Sequence, residues 1–283
     1  MKTVAFRFLC FALLVGSSVT VLFAGPGFPR IAAKYKGTDV ADGDTITGTV
    51  TIDPVPASAK FEIDRDQKIC GDNQPNFRLV VDAATKGVKN VVVFLDGIAK
   101  GKKLAKKQSF VIDQKGCAYA PHILIAPKRS SIAFKSSDPI VHNVHVYRGT
   151  LDQPHSRAED VLNVAFKDEA VPEQEIEKRA LRRRGFLFIQ CDAGHVWMSA
   201  YIFVVEHPYY VLTDEQGRFE LKDVPPGTYT LRFWQEGWQA KPVREGDKIT
   251  GYEYGAPVQH TASVTVKTGE AAKVDWAIPG AAK

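Results

Sequence analysis

One short stretch concentrates side chains able to hold a soft metal ion. Cys191-Asp-Ala-Gly-His195-Val-Trp-Met198 offers a thiolate, an imidazole and a thioether on a single loop. The apolar run Phe186-Leu-Phe-Ile-Gln190 precedes it, so a strand ending at Cys191 would let a tight loop return His195 and Met198 to the same point. Soft and borderline donors of this kind suit copper cycling between two oxidation states. A second imidazole must come from elsewhere, and Asp138-Pro-Ile-Val-His142-Asn143, 49 residues upstream of Cys191, supplies it. Two His and one Cys in a plane, with a weak axial Met, make an electron-transfer copper site. The expected ligands of one Cu(I)/Cu(II) ion are therefore His142, Cys191, His195 and Met198. Cys191 would be the strong ligand that tunes the potential, and His195 the electron exit toward a partner.

Taken singly, Cys191 and Met198 are the residue types that fill cores. Their occurrence together with His195 and an upstream His142-Asn143 pair favours a metal. His145, three residues after His142, falls on the opposite face of a strand and is not expected to reach the same ion. His122 is expected to be a core or hydrogen-bonded histidine. Trp197 either shields the site and forms part of an apolar docking surface, or simply packs. No role is assigned to His155 or His260.

These ligands need a rigid frame, and the sequence supplies strands. Thr45–Ile52 alternates β-branched residues, and Phe77–Val81, Val91–Leu95 and His122–Ala126 are short apolar runs bounded by turn residues. Ser131–Phe134, Ile140–Val146, Phe186–Cys191 and Tyr201–Val205 continue the series. Such spacing implies a β-sandwich or barrel. Pro172–Arg184 reads as either a helix or an exposed loop. A boundary is expected near Glu206-His207-Pro208. Beyond it, turns at Asp214–Gly217 and Val224-Pro-Pro-Gly227 separate strands at Arg218–Leu221, Thr228–Trp234, His260–Val266 and Ala271–Ile278, a smaller sandwich. There is no internal repeat.

The His-Asn pair followed by Cys-x3-His-x2-Met after an apolar strand resembles a cupredoxin. The His-x2-Met spacing also matches the binuclear copper centre of cytochrome oxidase subunit II, but that centre needs a second Cys where this chain has Leu187, so a mononuclear site is implied. The layout as a whole resembles exported bacterial cupredoxin-like proteins with a C-terminal carboxypeptidase-regulatory-like domain. The matching pieces are Lys-Ile-Cys70-Gly, Gly116-Cys117-Ala-Tyr-Ala-Pro-His122, Ser137-Asp138-Pro139 through Asn143, the Cys191 loop, His207-Pro208, and Thr213 through Tyr229. They span nearly all of residues 45–235. The resemblance implies an all-β chain: a cupredoxin-like Greek-key β-sandwich over 43–206, then a smaller Ig/transthyretin-like, carboxypeptidase-regulatory-like β-sandwich over 207–283. Two departures stand out. Relatives carry Cys-x2-His-Pro-Trp-Met, whereas this loop has one more residue and Val196 in place of Pro; and their Trp-His-Glu is Trp234-Gln235-Glu236 here, which argues against a ligand from that strand.

Residues 1–24 read as an export signal, with Lys2 and Arg7 before an uncharged run from Phe8 to Ala24, and residues 25–42 as a linker. An uncleaved N-terminal anchor is the alternative, and the only expected membrane contact. Cys10 leaves with the signal, so Cys70 and Cys117, each beside Gly at a strand edge, are expected to form a disulfide in an oxidising compartment, with Cys191 reserved for chemistry. The formal charge of +5 includes Lys2 and Arg7; without them about +3 remains, too mild to argue for nucleic acid. Lysines 100–107 and the basic run Lys178–Arg184 are solvated loops or a docking patch for an acidic partner.

The expected function is periplasmic or cell-surface electron transfer, with a redox partner such as a c-type cytochrome or another copper protein. Copper storage or delivery is one alternative. A structural or carbohydrate-binding surface protein with a decayed site is another. An enzyme is disfavoured: there is no Gly-x-Ser-x-Gly elbow, phosphate-cradling loop or His-Glu-x-x-His, and with seven His further copper sites are hard to build in one chain, a trimer sharing ligands across an interface being the open alternative.

Overall fold

A computed structural model describes residues 34–57, 60–105, 108–166, 174–175 and 180–280. The export signal lies outside the described residues, and so do residues 172–173 and 176–179 within Pro172–Arg184. Of the latter, Gln174–Glu175 is a strand and Ala180–Arg182 a single 3-10 turn. Among the described residues, no helix is long and apolar enough to cross a membrane.

The chain is all-β and builds two sandwiches. The sheet that carries the candidate ligands runs in the order Ile123–Pro127, Ser199–Val205, Gly185–Gln190, His142–Gly149, Glu159–Phe166. Its first pair is parallel and the rest antiparallel. A second sheet, centred on Ser109–Gln114 and Ser131–Ser136, faces it. Ile112, Ile132 and Phe134 pack there against Val144, Val146, Leu187, Ile189, Ile202 and Val204.

Successive residues of a strand point to opposite faces. Leu187 and Ile189 therefore fill this core, while Phe186 and Phe188 turn the other way, onto Trp234, Phe94 and Tyr201. Both faces of the strand are buried, which is why Phe186–Ile189 is a continuous apolar run rather than an alternating one. Trp234 stacks edge-on against Phe186 and Phe203 and donates its indole N–H to Leu151 O at 2.9 Å.

The second sandwich is not confined to the C-terminal residues. Val92–Asp96 lies between Tyr210–Leu212 and Gly227–Gln235, and Asp44–Asp53 lies between Arg218–Val224 and the strands at Ala272–Lys273 and Trp276–Pro279. Ile46, Val50, Val93 and Leu95 share one core with Phe233, Val264 and Trp276. The boundary expected at residue 206 thus does not divide the sheets. Two strands assigned by sequence to the first sandwich belong to the second, because alternation reveals which face of a strand is buried but not which sheet it joins. The expected linker 25–42 also contributes a strand, Lys36–Thr38, paired in parallel with Lys100–Lys102.

Candidate metal centre

Three of the four expected ligands converge by strand pairing and one tight loop. The His142–Gly149 and Gly185–Gln190 strands are antiparallel neighbours, with His145 opposite Gln190, so His142 and Cys191 meet just beyond that pair. Asn143 joins them: its backbone N–H points at Cys191 Sγ (3.3 Å), and its side-chain oxygen accepts the Asp192 N–H (3.2 Å). The loop then turns back, with Met198 N–H donating to His195 O at 2.9 Å. Gly194 sits at φ +93°, a region that favours glycine, and a Cβ there would press into the Arg65 guanidinium.

His142 Nδ1 lies 3.2 Å from His195 Nδ1, and Cys191 Sγ lies 3.7 Å from His195 Nδ1. The three ligand atoms lie within 4.8 Å of one another. His142 and His195 are fully buried, and Cys191 and Met198 are 2% exposed. Met198 shares the Cys191 core.

The outer ring nitrogens are held by carboxylates. His142 Nε2 is 2.9 Å from Asp138 Oδ2, and His195 Nε2 is 2.9 Å from Asp66 Oδ2. Asp138 also accepts the backbone N–H groups of Gly116 (2.7 Å) and Cys117 (2.8 Å). If each Nε2 donates to its carboxylate, both Nδ1 atoms present lone pairs to each other. A hydrogen bond between them would need a third proton on two imidazoles. Burial opposes that charge, and it pushes both imidazoles below their ordinary pKa, with each other's proximity adding at His195. A cation shared by the two Nδ1 atoms and the thiol resolves the conflict. Nitrogen and sulfur ligands about 2.0–2.3 Å from one ion lie roughly 3–4 Å apart, and the distances here fall in that range. The residues therefore fit a metal.

Burial raises the Cys191 thiol, opposed by the backbone amides of Asn143, Ala193 and His195. A bound metal would reverse this by deprotonating it outright. A second grouping, Cys117, Asp138 and His142, is no separate site, because Cys117 is bridged to Cys70 (S–S 2.02 Å) as the cysteine parity led one to expect.

His145 is held away from the centre by Asp160, Asp192 and Tyr147. His122 bonds to Ser199 O and to Glu236. Trp197 is 1% exposed, donates to Cys117 O at 3.1 Å and packs edge-on against His195. It shields the centre and offers no docking surface. The His195 edge is not free either: Asp66 and Arg65 cover it, Arg65 bonding to Ala193 O. A cavity of about 590 Å³ opens instead on the Cys191 and Met198 side, beneath Tyr252 and Tyr254.

Sequence reasoning did not find Asp66, Arg65 or the orienting role of Asp138. Asp138 stood in a recognised motif without a function, while Asp66 is 129 residues from His195 and carries no local signal.

No family model matches the chain, and no curated protein matches it significantly. Solved structures with a similar arrangement include the copper-containing nitrite reductase of Thermus scotoductus SA-01, at 17% identity and TM-score 0.29 over 39% of this chain and 25% of that one. Auracyanin A, a blue copper protein of Chloroflexus aurantiacus, aligns at 15% identity and TM-score 0.28 over 34% of this chain and 98% of its own. A Sinorhizobium pseudoazurin aligns at 20% identity and TM-score 0.25 over 35% and 75%. Likenesses this faint carry no weight for function, which rests on the site itself.

Proposed function

We propose that this chain is an exported mononuclear copper protein that transfers electrons. The observation that carries the reading is the pair of Nδ1 atoms facing each other at 3.2 Å beside a buried thiol, each imidazole anchored through Nε2 by a carboxylate. His142, Cys191 and His195 would hold the ion, with Met198 the weak fourth ligand. Bound copper would supply one-electron redox chemistry. The residues around it do the rest. The paired strands fix His142 and Cys191, Asn143 locks the Cys191 loop to the neighbouring strand, and Trp197 excludes water from the His195 side.

Near-complete burial of all four side chains favours an ion that is kept over one handed on, which weighs against storage or delivery. The intact donor set weighs against a decayed site. Export, and a redox partner such as a c-type cytochrome or another copper protein, belong to the same proposal. Electrochemistry of the copper-loaded full chain separates the readings. A reversible one-electron wave with copper retained through repeated cycles is expected. Loss of copper on reduction would move the function to delivery.

A further inference from the structure

We propose that Asp138 and Asp66 are the positioning residues of this centre, each holding one imidazole by Nε2 so that only Nδ1 faces the ion, with the Cys70–Cys117 disulfide bracing both. The inference rests on the metal-binding reading above and assigns work to residues outside the ligand set.

Asp138 is 5% exposed and already accepts two backbone amides, so its contact with His142 Nε2 takes the imidazole as donor. Those amides belong to Gly116 and Cys117, the second arm of the disulfide. Asp66 stands on the first arm. It opens the single helical turn Gln67–Cys70, and its carbonyl accepts the N–H groups of Ile69 and Cys70 at 2.9 Å each. Its carboxylate reaches His195 Nε2 from there. Trp197, between His195 and Met198, bonds to Cys117 O and ties the ligand loop to the same bridge. The disulfide thus joins the two segments that fix the two ring orientations. Carboxylates in this position orient an imidazole and raise its basicity toward the metal, and their loss typically weakens binding 10–100-fold.

Long-range proton–nitrogen-15 correlation spectra of the full chain without metal, at neutral pH, report which ring nitrogen carries the proton. Both His142 and His195 are expected to carry it at Nε2. D138N should release His142 alone, and D66N His195 alone, each to a mixture containing the Nδ1–H form. D66E, which keeps the carboxylate, should restore the original form. Copper affinity measured against a competing chelator should fall about 10–100-fold in D138N and D66N, with the disulfide intact and circular dichroism unchanged. Should D138N fail to fold, the half-exposed Asp66 decides through D66N and D66E. Nδ1–H at either histidine in the wild type, or unchanged tautomers in D66N, would overturn the proposal. If the wild type takes up no copper while the tautomers behave as expected, the positioning roles stand and the copper reading falls.

Discussion

Cys191 Sγ lies 3.7 Å from His195 Nδ1 although three residues of chain separate them, because the Cys191–Met198 loop folds back on itself and His195 O accepts the Met198 N–H. The loop is bonded on three sides: to Asn143 on the next strand, to Arg65 and Asp66 over His195, and to Cys117 through Trp197. The centre is thus held before any ion arrives. For a bound copper ion, such a frame would allow little rearrangement between two oxidation states.

The titration of the ligands sets how metal binding depends on pH. Burial keeps His142 and His195 neutral at neutral pH and keeps Cys191 protonated. Uptake of copper near pH 7 should therefore release about one proton, from the thiol. Calorimetry in buffers of different ionisation enthalpy measures that number. A release of two or three would mean that the imidazoles were charged.

Two histidines away from the centre make the fold acid-sensitive. Burial lowers His207 to about 4 and His155 to about 3, the latter with Arg78 adding to the effect. An unfolded histidine titrates near 6.5, so the unfolded chain binds more protons below that pH. Stability from these groups is full above about 6.5 and is lost as pH falls toward their folded values. His207 alone should contribute a loss on the order of 3 kcal/mol by pH 4. Denaturant midpoints between pH 7 and pH 4 should fall steadily, and less steeply in H207F. A flat profile would contradict the burial of both rings.

How much of this was legible in the sequence divides along local and non-local lines. Cys191, His195 and Met198 share one loop, so their spacing alone revealed them. His142 followed from the need for a second imidazole and from the Asn beside it. Asp66 did not follow, because its partner is 129 residues away and an aspartate in a loop is ordinary. Ser109–Gln114, Glu159–Phe166 and Lys248–Tyr254 were not readable as strands, but many of the others were, from their apolar runs. Their partners were not: Thr45–Ile52 alternates as well for one sandwich as for the other, and only the structure pairs it with Arg218–Val224 and Trp276–Pro279.

That pairing makes truncation informative. A fragment ending at residue 206 leaves Asp44–Asp53 and Val92–Asp96 without their hydrogen-bonded neighbours and exposes Phe186 and Phe203 where Trp234 covered them. Such a fragment should fail to give dispersed amide spectra, whereas the full chain gives them. A well-folded fragment would restore the boundary read from the sequence.

The disulfide should matter to metal and fold alike. Replacing Cys70 and Cys117 by Ser together should cost roughly 2–5 kcal/mol of stability. It should also weaken copper binding, since both carboxylate-bearing segments lose their brace. Chemical denaturation and a chelator competition on the same variant test the two effects. Unchanged affinity would separate the bridge from the centre.

The most direct test is titration of the chain with Cu(II), followed by visible absorption and electron paramagnetic resonance beside a Cys191→Ser variant. The geometry calls for an intense thiolate-to-copper band that saturates at one equivalent and is absent from the variant. No band in the wild type, or the same spectrum in both proteins, would contradict a Cys191-centred copper site.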